Sequence, residues 1–206
     1  MPTADDDHLS RAQLRKRKLP YGFKAAAKLQ SLRVRSAAGA GVHDRVCCFE
    51  LADQLDIKII RLSEMPESEY SHHLTHVEPN AMSAAIVRRR DRVGIWLNDS
   101  HSPARQQSNL AHELAHVILD HQDAPPLNET GCRELHAGVE AEADYFGSVL
   151  LVPEPAAVEV VRSGVPLVKA AEHFGVSEQM MRWRINDSGA HVRTGRERRR
   201  ADGRHG

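Results

Sequence analysis

Net charge is the first thing this sequence does without. Its 28 Lys and Arg residues are matched by 28 Asp and Glu. That balance excludes a protein built mainly around a phosphate backbone, where a surplus of cations displaces counterions. Long apolar runs are missing too. No stretch approaches the roughly 20 residues of a membrane-spanning helix, and residues 1–17 lack the hydrophobic core of a secretory signal. Cysteine is scarce: there are 3, with Cys47 and Cys48 adjacent and Cys132 remote. An odd number so placed suggests no disulfide framework, and the expected location is the cytoplasm. The apolar fraction of 41% is low for a globular chain. Polar residues 1–18 and Arg-rich residues 190–206 account for the deficit, and both ends are expected to be disordered tails.

What is present is one helix that carries chemistry. His112-Glu113-Leu114-Ala115-His116 puts two imidazoles at i and i+4 with a carboxylate between them, which stacks both rings on one helix face. Leu110, Ala111, Leu114, Ala115, Val117, Ile118 and Leu119 form a broad apolar surface on the other side. A helix over 108–120 is therefore expected, with Ser108 as its cap or in its first turn. Zinc takes nitrogen and oxygen ligands in tetrahedral array, and a catalytic site leaves one position for water. The spacing reads as a metallopeptidase core that holds one Zn2+ per chain through His112 and His116, with Glu113 as general base. A third ligand is expected from a second helix that ends at Pro153 and supplies Glu140, Glu142 and Asp144. Glu140 and Asp144 share a face at i, i+4, whereas Glu142 points elsewhere. Glu140 is thus the expected third ligand and Asp144 the hydrogen-bond partner that fixes the tautomer of a ligating imidazole. Glu142 is the alternative ligand.

The remaining pattern frames this core. Phe23, Ala27, Leu29 and Leu32 predict a first helix over 21–35, broken at Gly39-Ala40-Gly41; a short helix over 48–55 and a strand over 57–62 follow. His72, His73 and His76 lack helical spacing and read as part of a solvated loop rather than a second metal site. Two strands, 83–88 and 92–97, form a hairpin whose Arg-rich tip reads as a solubilising charge cluster. The strand 92–97 lies just ahead of the metal helix, and similarity to zincin metallopeptidases, which pair substrate backbone with a sheet edge at that place, implies that it offers an edge to an extended substrate. Tyr145, His136 and His101 are candidates to steady a tetrahedral oxyanion. The expected fold is α+β, helices around an antiparallel or mixed sheet of about three strands.

Residues 168–185 have helix-turn-helix grammar, with Ser177 as N-cap of the second helix. Glu178, Gln179, Arg182 and Arg184 would face a major groove. Ala171, Phe174, Val176, Met180, Met181, Trp183 and Ile185 would instead pack the unit onto the core. Packing is the preferred reading, because the groove-facing set is not strongly basic. Weak, salt-sensitive DNA contact through this unit or the Arg-rich end is the alternative.

Together, His112-Glu113-Leu114-Ala115-His116, Glu140-Ala141-Glu142-Ala143-Asp144-Tyr145-Phe146 and Leu150-Leu151-Val152-Pro153 closely resemble the ImmA/IrrE metallopeptidases. Gly22-Phe23-Lys24-Ala25-Ala26-Ala27, Ala52-Asp53-Gln54-Leu55-Asp56-Ile57 and the approach over 98–105 are similar to that family as well. So is Phe174-Gly175-Val176-Ser177 followed by 182–185. The resemblance spans about 21–189. Asp144 stands where the family often has Asn and Gly147 where it often has Ala; both differences read as tolerable. The resemblance implies a zincin-like metallopeptidase domain over 19–153 and a C-terminal helix-turn-helix-like unit over 154–189. It also implies a zinc endopeptidase that cleaves a helix-turn-helix transcriptional repressor, and so relieves repression in a mobile element or stress response. No membrane partner is expected. The rival is a non-catalytic regulator on a zincin scaffold that binds DNA or sequesters a partner through 167–185.

Overall fold

The computed structural model describes residues 19–65, 82–89, 92–121 and 137–202. His72, His73, His76, Cys132, His136 and the expected tail 1–18 lie outside the described residues. Among those described, eight α-helices surround one three-stranded mixed sheet, so the architecture is α+β. None of these helices is long and apolar enough to cross a membrane.

Helix α1 (Phe23–Ala37) presents Ala27, Ser31 and Arg35 to the interior rather than the expected Leu29, which is 54% exposed. Small side chains let this helix lie close, and its one large buried group is polar. The Arg35 guanidinium donates to the carbonyls of Gly41, Asp44 and Leu150, tying the loop after α1 to a distant helix end. Carbonyls left over at helix ends need such donors when buried. Helix α2 (Cys48–Gln54) then leads into strand β1 (Lys58–Arg61).

Strands β2 (Ala84–Arg89) and β3 (Arg92–Leu97) form the expected antiparallel hairpin, and β1 pairs with β3 in parallel. The order β1-β3-β2 puts β3 in the middle. This corrects the expectation that β3 offers an edge to substrate: both of its hydrogen-bonding sides are already taken. Ile95 and Leu97 of β3 are fully buried against the helices. Asn98 ends the strand by donating to the Met82 carbonyl while its Oδ1 accepts from Ser100, which turns the chain toward the next helix.

That helix, α3 (Pro103–Ile118), starts five residues earlier than its apolar pattern suggests. Proline is preformed for the first helical position and has no amide hydrogen to strand there. Ser108 is therefore neither cap nor first turn; it lies inside the helix and donates to the Ala104 carbonyl. Gln107, wholly buried, accepts from the Cys48 amide and donates to the Val46 carbonyl, locking α3 to the start of α2. Helix α4 (Ala137–Leu151) packs along α3, and Ala143, Phe146, Val149, Leu150 and Leu151 are fully buried there.

Helices α5 (Glu154–Ser163), α6 (Leu167–Phe174), α7 (Glu178–Asp187) and α8 (Ala190–Asp202) complete the chain. Ala170, Ala171, Phe174, Val176, Met181 and Ile185 join the same buried cluster as the sheet and α3. Ser177 caps α7 by accepting from the Met180 amide. Trp183, expected inside, is 44% exposed and lies edge-on to Tyr145. Arg184, expected to face a groove, is instead fully buried, donating to the Val152 carbonyl and to Asp187. It cannot read DNA. The expected disordered end from 190 is likewise corrected by α8. Ala190 and Thr194 are buried, and the pairs Arg193–Glu154 and Arg162–Glu197 flank the contact with α5. Two small residues one turn apart, Ala190 and Thr194, let the start of this Arg-rich helix dock while Arg193 and Glu197 stay at the rim.

Candidate metal centre

Helices α3 and α4 bring the three expected donors together. His112 Nε2 lies 3.2 Å from Glu140 Oε2, and His116 Nε2 lies 3.6 Å from Glu140 Oε1. The two Nε2 atoms are 3.1 Å apart. One donor atom from each of His112, His116 and Glu140 lies within 4.8 Å of the others. Two imidazole nitrogens and one carboxylate oxygen converging on a point are a donor set that suits zinc.

The outward-facing ring nitrogens are also held. His112 Nδ1 is 2.9 Å from Asp144 Oδ1, so the carboxylate accepts from Nδ1–H and leaves the Nε2 lone pair facing inward. Glu142, the alternative ligand, is not in the cluster. It turns to His121, with 3.2 Å between His121 Nε2 and Glu142 Oε2. His121 Nδ1 in turn sits 3.0 Å from His116 Nδ1.

His121 carries no signal in the sequence. Five residues past His116 it would lie about 140° round a continuous helix. Only the end of α3 brings it back. Asp120 takes the left-handed conformation, φ 52, while the Asp120 amide donates to Val117 and the His121 amide to the His116 carbonyl. That is a Schellman turn with Asp at its left-handed position.

The electrostatics favour a cation. Burial alone would lower the His112 pKa, but hydrogen bonds to Asp144 and Glu140, with the charges of Asp144 and Glu113, push it up to about 10. His116 goes the other way, to about 4, through burial first and then the charge of His112, against that of Glu140. Without metal, one proton on His112 offsets these carboxylates. A divalent ion would replace it, since ligating imidazoles must be neutral.

Of the oxyanion candidates, Tyr145 is corrected. Its ring is buried among Phe23, Trp183, Lys24 and Arg184, on the side of α4 turned to α1 and α7. His101 sits nearer the metal helix, its Nδ1 3.3 Å from the side-chain amide of Asn109, three residues before His112.

Residues 52–186 match the Peptidase_M78 family model, described as the IrrE N-terminal-like domain. The chain belongs to this family. Membership makes it a metallopeptidase of the ImmA/IrrE kind, and the matched segment contains both helices of the His112, His116 and Glu140 cluster. Comparison with individual curated proteins gives no match.

Proposed function

We propose that this protein is a cytoplasmic zinc endopeptidase that hydrolyses one peptide bond in a helix-turn-helix transcriptional repressor. The observation that carries the reading is the meeting of His112 Nε2, His116 Nε2 and a Glu140 oxygen beside Glu113. His112, His116 and Glu140 would hold the ion, which when bound supplies a water acidic enough to ionise near neutral pH and polarises the scissile carbonyl. Glu113, next to His112 on α3, takes the proton from the attacking water and passes it to the leaving amine. Asp144 holds the His112 ring in the ligating tautomer. The repressor as substrate follows from the ImmA/IrrE likeness. Because β3 is central, an extended substrate strand would have to pair with an outer strand of the sheet, β1 or β2.

Co-expression with helix-turn-helix repressors encoded beside the gene, scored for a new fragment, tests this reading. Glu113→Gln is expected to bind zinc as the parent does and to yield no fragment. Equal cleavage by that variant would remove Glu113 from the reaction. If purified protein instead shifts operator DNA, and does so equally after His112→Ala, the regulator reading through α6 and α7 replaces the peptidase.

A further inference from the structure

The side of His116 that faces away from the ion ends in a chain of two more groups, His121 and Glu142. With a neutral imidazole at His121, their hydrogen bonding has one self-consistent arrangement. An ionised carboxylate only accepts, so His121 must donate to Glu142 from Nε2. A neutral imidazole has one donor and one acceptor, which leaves His121 Nδ1 as the acceptor. The group 3.0 Å away is His116 Nδ1, and it must therefore carry the hydrogen. His116 Nε2 is then bare and faces Glu140 and His112.

We propose that Glu142 and His121 are positioning residues that hold His116 as the Nδ1–H tautomer, with its Nε2 lone pair presented to the ion. Asp144 does the same for His112 directly. The site thus holds its two imidazoles by unequal means, one through a carboxylate and the other through a histidine backed by a carboxylate. The relay is well placed to act. His121 and Glu142 side chains are 9% and 21% exposed, so water competes little for their hydrogen bonds. The left-handed turn at Asp120 is what brings His121 over the His116 ring, at 5.0 Å between centroids.

The inference rests on the zinc reading of His112, His116 and Glu140, and the two can fail separately. Zinc affinity of the full chain is measured by chelator competition for the parent, His121→Phe, His121→Asn, Glu142→Gln and the double variant His121→Phe/Glu142→Gln. Loss of a group that orients a metal-ligating histidine costs about 10–100-fold in affinity, and His121→Phe is expected to lose that much. Asn places an oxygen acceptor where Nδ1 stood, so His121→Asn should stay close to the parent. Glu142→Gln should lose less than His121→Phe, and nothing more once His121→Phe is present, because it acts only through His121. In the metal-free chain, nitrogen NMR should find the His116 proton on Nδ1, and His121→Phe should populate the other tautomer. A parent that binds no zinc overturns the metal reading and the relay with it. A parent that binds zinc overturns the relay alone if His121→Phe binds equally well, if His121→Asn is as weak as His121→Phe, or if the two losses add.

Discussion

Gly147 is where the two site helices come closest, and a methyl group there is the most informative small perturbation. A Cβ built on Gly147 would lie 2.9 Å from the Ala111 carbonyl oxygen, 3.0 Å from its carbon and 3.2 Å from the His112 amide nitrogen. Ordinary contact begins near 3.4 Å, and all three neighbours are backbone, so no side chain can rotate away. Helices α3 and α4 must part by about half an ångström, the size of shift that overpacked cores resist at roughly 1–3 kcal/mol. Against this, alanine favours a helix interior over glycine by about 1 kcal/mol. Gly147→Ala should therefore change stability by anything from nothing to a loss of about 2 kcal/mol.

Metal affinity separates the effects better than stability does. His112 follows Ala111 directly, while Glu140 and Asp144 ride on the helix being pushed away. Metal–ligand distances tolerate only about 0.2 Å, so zinc binding should weaken by about tenfold or more even where the fold holds. The assay pairs urea denaturation with chelator competition. Gly138→Ala serves as control, since Gly138 lies on the same helix with nothing within 4 Å. If Gly147→Ala gained about 1 kcal/mol, as an unhindered helix position would, and bound zinc like the parent, the close approach would carry no constraint and the reasoning would fail.

Three further predictions concern charge and backbone. The His112 pKa is raised to about 10, so its contribution to metal-free stability is complete below the unfolded value of 6.5 and lost as pH climbs through about 10. His116, lowered to about 4, acts oppositely and weakens the fold as pH falls from 6.5 toward that value. Chelator-treated protein should therefore fall in Tm relative to zinc-loaded protein on the alkaline side. Zinc uptake at neutral pH should release about one proton, read by calorimetry in buffers of different ionisation enthalpy; no buffer dependence would contradict the assignment. Arg184→Ala leaves the buried Val152 carbonyl without its donor and Asp187 with Lys24 alone, and should cost about 1–3 kcal/mol in urea denaturation. The exposed Arg182 should matter little when truncated, and a reversed ranking would return Arg184 to the surface. Asp120→Gly keeps the left-handed turn, so it should preserve zinc affinity and be neutral to stabilising by up to about 1 kcal/mol. Asp120→Val should weaken zinc binding, because a β-branched residue resists that conformation; equal behaviour of the two variants would separate the turn from the site.

The parts of the site that were legible in the sequence are those a single periodicity can carry. His112 and His116 share a face at i+4, and so do Glu140 and Asp144, and each pair needed only its own helix to be predictable. The hairpin was legible for the same reason, from alternation within each strand. What periodicity could not reach are contacts that join a side chain to something outside its own element. Arg35 and Arg184 are arginines, a type that is almost never fully buried unless paired, and their partners are carbonyls at 150 and 152, which no pattern marks. β3 reads as one half of a hairpin, yet its other side is filled by β1 from far upstream, which removes it as a docking edge. α8 reads as a charged tail because composition counts its arginines and misses Ala190 and Thr194, the small pair that docks it. His121 belongs to this group: its place depends on a single left-handed residue rather than on a repeat. The division follows the physics of the site. Its ion-facing side is built from helix faces and is written in spacing, while its outer side is built from turns and hydrogen bonds across elements. The residues that tune metal affinity in this family member should therefore be sought at helix ends, such as 119–121, rather than by extending the His-Glu-x-x-His pattern.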